Sequence, residues 1–281
     1  MHNGAPIFNG EAIDCAQCGY VHLEPRPSQE ELDAHWDALY AGGYLYEQEK
    51  RQQWYWRLVY LERMARFEEL AARRPFETRE LLDYGTGVGR FVAATWLTLG
   101  WNVTGYERSE EARRQVSPFA FSACFPPYDG VHCSLVLEYV LDPLETLRHI
   151  NELLIPGGVL CLVVPNEFNP LQRKLYKKWG YSPLHPHHVN YFTPRSLAAL
   201  VKRAGFEVVE VTATFPIEAL ALAGLNYVKH PKLGIVAHWL RMVFEAALLV
   251  VAPGTKRRLY GWFADRGIGR EIELWARKAA F

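Results

Sequence analysis

The sequence predicts an α/β protein built on a doubly wound, mostly parallel sheet, with a helical cap before the sheet and a helical insertion before its last strand. Three observations carry this. Apolar runs of strand length alternate with helical patterns between residues 79 and 213, the rhythm of βαβ crossovers. One such run, Leu81-Leu82-Asp83-Tyr84, passes directly into a glycine turn, Gly85-Thr86-Gly87-Val88-Gly89, and then into a helical pattern. Residues 215–265 show helical patterning without a strand signal, and a short alternating run, 272–276, follows Gly267 and Gly269.

Taken in order, residues 1–27 read as irregular, holding Cys15-Ala16-Gln17-Cys18 and the prolines Pro25 and Pro27. Ser28 with Glu31 forms a capping-box pattern that opens a helix to about residue 39, and Gly42 and Gly43 break it. An aromatic-rich helix over 47–73 ends before Pro75. A strand at 79–84 precedes the glycine loop, and a helix over 89–99 is closed by Gly100. Strands follow at 102–107 and 131–137, then a helix over 143–154. Pro156-Gly157-Gly158 turns into a strand at 159–164, and a helix over 194–204 leads to a strand at 206–212. The expected domains are a degenerate CxxC segment with helical cap (1–76), a nucleotide-binding core (77–214), a helical insertion or lid (215–267) and a returning strand (268–281).

Lys plus Arg equals Asp plus Glu, 31 each, so there is no basic footprint for nucleic acid. The five cysteines follow no disulfide framework, which suggests a reducing, cytoplasmic setting. The most apolar window, 233–253, contains His238, Arg241 and Glu245 at helical spacing. That pattern predicts an amphipathic helix, not a membrane span, and leaves peripheral contact with a membrane open.

The glycine loop supplies the chemical signal. Glycine tolerates the tight turn and lets a ligand approach the main chain closely. An acid about twenty residues further on, Glu107, ends the next strand, where it can accept from both ribose hydroxyls. The spacing is GxGxG; a dinucleotide fingerprint needs glycine where Arg90 stands. With its strand context, this constellation resembles the class I S-adenosylmethionine-dependent methyltransferases, of the type found in sugar and natural-product clusters. Tyr128-Asp129-Gly130-Val131 through Leu137-Glu138-Tyr139-Val140 resembles that family's fourth strand, and His187-His188-Val189-Asn190-Tyr191-Phe192 a stretch after its fifth.

The resemblance implies a Rossmann-like core and S-adenosylmethionine as cofactor. It places Asp83, Gly85, Thr86, Gly87, Gly89, Phe91, Glu107, Arg108, Leu137 and Tyr44 at the cofactor. Two departures stand out: Tyr139 replaces the usual histidine after Glu138, and only 22 positions separate Glu107 from Asp129, where relatives place a third strand and an adenine-contacting loop. The adenine pocket would then be abbreviated, or built from Phe119, Phe121 or Cys124. The CxxC resembles half of a four-cysteine zinc ribbon, but a structural zinc needs four ligands and only His2 and His22 are near, so no metal is assigned.

Methyl transfer is an in-line displacement in which the enzyme aligns the acceptor and excludes water. A hydroxyl acceptor also benefits from a general base. His188 is the first choice for that base, among His185, His187 and His188. Tyr139 is expected to orient the acceptor or contact the sulfonium, and Glu138 to line the site or anchor backbone. Tyr40, Tyr44, Tyr46 and Trp54-Tyr55-Trp56 suit closure over a cationic cofactor. The acceptor is a small molecule: a sugar, a nucleotide-sugar or a secondary metabolite. The alternative is a catalytically silent protein of the same fold acting in binding or scaffolding.

Overall fold

The computed structural model describes residues 4–7, 11–42, 52–71, 78–115, 127–180, 184, 187–227 and 229–279. In chain order its elements are β1 (Gly4–Ile7), β2 (Ala12–Cys15), β3 (Tyr20–Leu23), α1 (Gln29–Ala41), α2 (Gln53–Leu70), β4 (Arg79–Tyr84), α3 (Arg90–Thr95), β5 (Trp101–Tyr106), α4 (Glu110–Arg114), β6 (Tyr128–Ser134), α5 (Pro143–Leu153), β7 (Leu154–Pro165), α6 (Pro170–Trp179), β8 (Asn190–Tyr191), α7 (Pro194–Arg203), β9 (Phe206–Ala213), α8 (Ile217–Leu222), α9 (Pro231–Val251), α10 (Pro253–Asp265) and β10 (Glu271–Lys278). The larger sheet has the strand order β5-β4-β6-β7-β10-β9. Contacts group the chain into two units: residues 27–162, 201–209 and 275–281 in one, and residues 1–26, 163–200 and 210–274 in the other.

In the first unit β4 is central. It pairs in parallel with β5 and with β6, so that Asp83 stands beside Gly105 on one side and His132 on the other. Parallel neighbours place their carboxyl ends at the same edge, where ligands bind in such sheets. Leu81, Leu82 and Val131 are fully buried, as expected for strands covered on both faces. Phe67 of α2 is also fully buried, its ring 6.0 Å from Trp101 and 5.0 Å from Trp275. α5 opens on Pro143 with Asp142 as its cap, the carboxylate accepting from Glu145 N. At its far end Lys278 Nζ donates to the carbonyls of Asn151 and Leu154, a cation placed at the negative end of the helix.

β9 and β10 run in opposite directions: Thr214 N donates to Glu271 O at one end, and Ala279 N to Gly205 O at the other. The last strand therefore returns antiparallel, between β7 and β9.

Several sequence boundaries move. The helix after the glycine loop is short, Arg90–Thr95. The strand expected at 131–137 begins earlier, at Tyr128, and ends at Ser134. The aromatic helix is described over Gln53–Leu70. The main correction concerns residues 1–27, expected to be irregular. In the second unit they contribute the antiparallel strands β1, β2 and β3, and β3 pairs with β8 through Val21–Tyr191 and His22–Asn190. Four-residue strands carry too little alternation to read, and the last partner comes from about 170 residues away in sequence.

The insertion is helical, as expected, in α8, α9 and α10. Residues Lys232–Val251 are long and apolar enough to cross a membrane by length and composition. Arg241 and Glu245 on this helix are nevertheless buried and paired at 2.8 Å. Glu245 also accepts from Phe215 N and Tyr260 Oη, so one face of α9 is tied to the protein.

Truncating the ring on which α2 packs tests this core. Phe67→Ala should lower the unfolding free energy by about 3–5 kcal/mol, read from urea denaturation with a spectroscopic probe.

Candidate cofactor and active site

The glycine loop is shaped by contacts a side chain would abolish. Gly85 has φ 75°, and a Cβ there would lie 2.4 Å from the Val136 side chain. Gly87 has φ 55°, and its Cβ would meet the Tyr40 hydroxyl at 3.0 Å. Gly85 N and Thr86 N both donate to Tyr106 O, which ties the turn to the end of β5.

Beneath the loop lies a buried polar chain. Asp83 Oδ2 accepts from Thr86 Oγ1 at 2.6 Å, and Oδ1 faces His132 Nδ1 at 2.6 Å. His132 Nε2 lies 3.1 Å from Arg63 NH1. A guanidinium can only donate, so Nε2 accepts and Nδ1 carries the proton toward Asp83. The Phe91 ring stacks on His132 with centroids 3.9 Å apart. Asp83, Thr86 and Phe91, placed at the cofactor by resemblance, thus make contacts that set the loop's shape from below.

Glu107 completes the loop from the second strand. Its Oε2 accepts from Gly87 N and its Oε1 from Ser109 N, each at 2.8 Å. Burial pushes the Glu107 carboxyl above its usual value of 4.5; the backbone N–H groups of Ser109, Gly87 and Arg108 pull the other way, and the nearby Asp83 charge adds to the rise. With three backbone N–H groups on its four lone-pair sites, the carboxylate keeps room for a further donor.

A cavity of about 540 Å³ opens here, walled by Gly85, Tyr106, Glu107 and Arg108 on the loop side and by Trp36, Tyr40 and Tyr139 among others. α1 brings the first two aromatics. Its start is fixed by the capping box anticipated at Ser28 and Glu31, and its flank is held by Arg108–Asp33 at 2.8 Å and Ser109 Oγ–Asp37 at 2.6 Å. The Trp36 and Tyr139 rings meet edge to face at 4.4 Å. Leu135, also on the wall, has φ 58°. A branched residue in the left-handed region costs about 1–2 kcal/mol, and this one turns the chain so that Val136 presses on Gly85. Leu137 and Glu138 are buried in the core. Tyr44, Tyr46, His185 and the segment holding Phe119, Phe121 and Cys124 lie outside the described residues.

His188 belongs to the second unit. It is buried, and its Nδ1 lies 2.6 Å from Glu167 Oε2. Glu167 lies two residues past β7 and was not singled out from the sequence. Its only signal there is position, next to Asn166 just past a strand's carboxyl end.

In the same unit Cys15 Sγ, Cys18 Sγ and a His22 ring nitrogen lie within 4.8 Å of one another. Arg26 NH2 donates to Cys18 Sγ at 3.7 Å, and Arg26 Nε approaches His22 Nδ1 at 3.4 Å. The guanidinium on the Cys18 donor opposes a cation there, and a four-ligand zinc site needs one donor more.

A parallel sheet with a glycine turn after one strand, an acid after the next, and a cavity between them defines a nucleotide-binding site of the Rossmann-like methyltransferase type. Residues 47–211, more than half of the chain, match the model of a family described as a methyltransferase domain. The chain belongs to this family, the S-adenosylmethionine-dependent methyltransferases. It is similar to proteins named ubiquinone biosynthesis O-methyltransferase. Identity is 30% with that of Ruegeria pomeroyi and 29% with that of Dinoroseobacter shibae, each match covering 55% of this chain and 71% of the relative. Identity with the Caulobacter vibrioides protein is 32%, covering 37% of this chain and 48% of the relative, so the chain spans about half of that relative's length.

Glu107 provides the test of the cofactor site. Glu107→Ala should weaken S-adenosylhomocysteine binding about 10- to 100-fold in calorimetric titration. Because the carboxyl titrates above the ordinary range, wild-type affinity should start to fall on acidification at a higher pH than a free glutamate would dictate. Glu107→Gln should lose that pH dependence.

Proposed function

We propose that the chain transfers the methyl group of S-adenosylmethionine to a hydroxyl oxygen of a small, ring-shaped acceptor, a sugar, nucleotide-sugar or secondary metabolite. The observation that carries this reading is the bridge from Glu107 to Gly87 across the glycine loop. It presents an anion and open main chain on one cavity wall, the donor set a ribose and an amino-acid tail require. The residues fit the cofactor: Gly85, Gly87 and Gly89 keep the main chain bare, Glu107 receives the ribose hydroxyls, and Arg108 borders the same wall. When bound, the cofactor supplies an electrophilic methyl group on a sulfonium.

The chain's own residues then have three tasks. Trp36, Tyr40 and Tyr139 offer aromatic faces suited to a cation and keep water from that side. Tyr139, in the turn that follows β6, orients the acceptor. His188 takes the acceptor's proton at Nε2, while the Glu167 carboxylate fixes the tautomer through Nδ1–H and steadies the imidazolium that forms. The relatives' names support oxygen as the acceptor atom; the neutral charge balance argues against a nucleic acid.

Titration with S-adenosylmethionine and S-adenosylhomocysteine should show saturable one-site binding to both. Absence of both would favour the silent, scaffolding reading. For a substrate found by screening hydroxylated rings, His188→Ala should lower kcat about 10²- to 10⁴-fold with cofactor affinity unchanged. Glu167→Gln, which removes only the anion, should lower kcat less than His188→Ala does, again with cofactor affinity unchanged. Unchanged turnover in His188→Ala would remove it from the mechanism.

A further inference from the structure

α9 is amphipathic in the reverse of the usual sense. The charged side chains in its middle face inward: Arg241 and Glu245 are only 6% and 2% exposed and bond to each other, and Tyr260 Oη and Phe215 N close on the same carboxylate. From Ile235 to Val251 every exposed residue is apolar: Ile235, Val236, Trp239, Leu240, Val243, Phe244, Ala247, Val250 and Val251. Ile235 is 74% exposed, Trp239 56% and Val251 82%. The stripe runs about 24 Å at 1.5 Å per residue. A contiguous apolar face of this size marks an interaction surface, and Trp262 on α10 is exposed as well.

The charges around the stripe indicate what covers it. Exposed lysines Lys229 and Lys232 stand before it, and exposed Arg257 and Arg258 after it; Arg257 also pairs with Glu210. Between residues 229 and 258 the sole acid is the buried Glu245. An apolar band bounded at both ends by cations, with an exposed tryptophan, matches the boundary between acyl chains and anionic headgroups. A second copy of the chain fits poorly, since pairing two such helices in either orientation sets basic end against basic end. A span fits poorly too, because one face of α9 is committed to the buried Arg241–Glu245 pair.

We propose that α9 docks this protein on the surface of an anionic lipid bilayer, lying in the interface with Ile235, Trp239 and Val243 toward the acyl chains and Lys229, Lys232 and Arg258 among the headgroups. The protein is thereby a reversible peripheral membrane protein.

The test is sedimentation of the full chain with vesicles of phosphatidylcholine alone and of phosphatidylcholine with phosphatidylglycerol. Wild type should partition at least about tenfold more strongly onto the anionic vesicles, and salt should weaken the binding. Ile235→Glu with Trp239→Glu should cut binding at least about tenfold, leaving the melting temperature and S-adenosylhomocysteine affinity unchanged, since both side chains are exposed. Three results would overturn the proposal: no partition of wild type onto either vesicle, equal partition of the double variant, or a concentration-dependent dimer that the double variant abolishes while wild type ignores vesicles. The last would assign the face to a second copy.

Discussion

The buried carboxylate of Asp83 is the constraint on which the cofactor edge of the sheet depends. A charge removed from water must have its lone pairs occupied and its sign balanced. Here one oxygen is taken by Thr86 in the loop and the other by His132 on the neighbouring strand, which Arg63 backs from α2. One side chain thus ties two strands, a helix and the glycine turn together. The loop's upper surface is left for a ligand because its lower surface is fully employed. Glu107 works on the same turn from the other strand, so two acids at adjacent strand ends divide the labour of shaping and presenting it.

Much of this was legible in the residues, and the parts that were not share a physical reason. The capping box at Ser28 and Glu31 is a local pattern, and α1 begins where it says. The strand–glycine–helix unit around 79–95 is equally local. Asp83 illustrates the limit: the sequence placed it at the cofactor, but the direction its carboxylate faces depends on His132 and Arg63, 49 and 20 positions away. The N-terminal strands were missed because their order comes from non-local pairing with Asn190 and Tyr191. Glu167 escaped because its meaning comes only from His188, which reaches it after an intervening helix.

The cavity walls differ in stiffness. On the loop side, Val136 pressing on Gly85 and the left-handed Leu135 make a surface with little freedom to adjust. On the helix side, Trp36 and Tyr40 ride on α1, which is secured along its flank by exposed contacts such as Arg108 with Asp33; ion pairs of that kind contribute on the order of 1 kcal/mol or less.

β10 carries a consequence for biosynthesis. It is an interior strand, between β7 and β9, and its Lys278 finishes the end of α5. The sheet therefore has a gap until β10 has been made. Strands made early must wait, with one edge of β7 unpaired, until residues past 270 leave the ribosome. A nascent chain in that condition exposes a strand edge of the kind that recruits chaperones or misassembles.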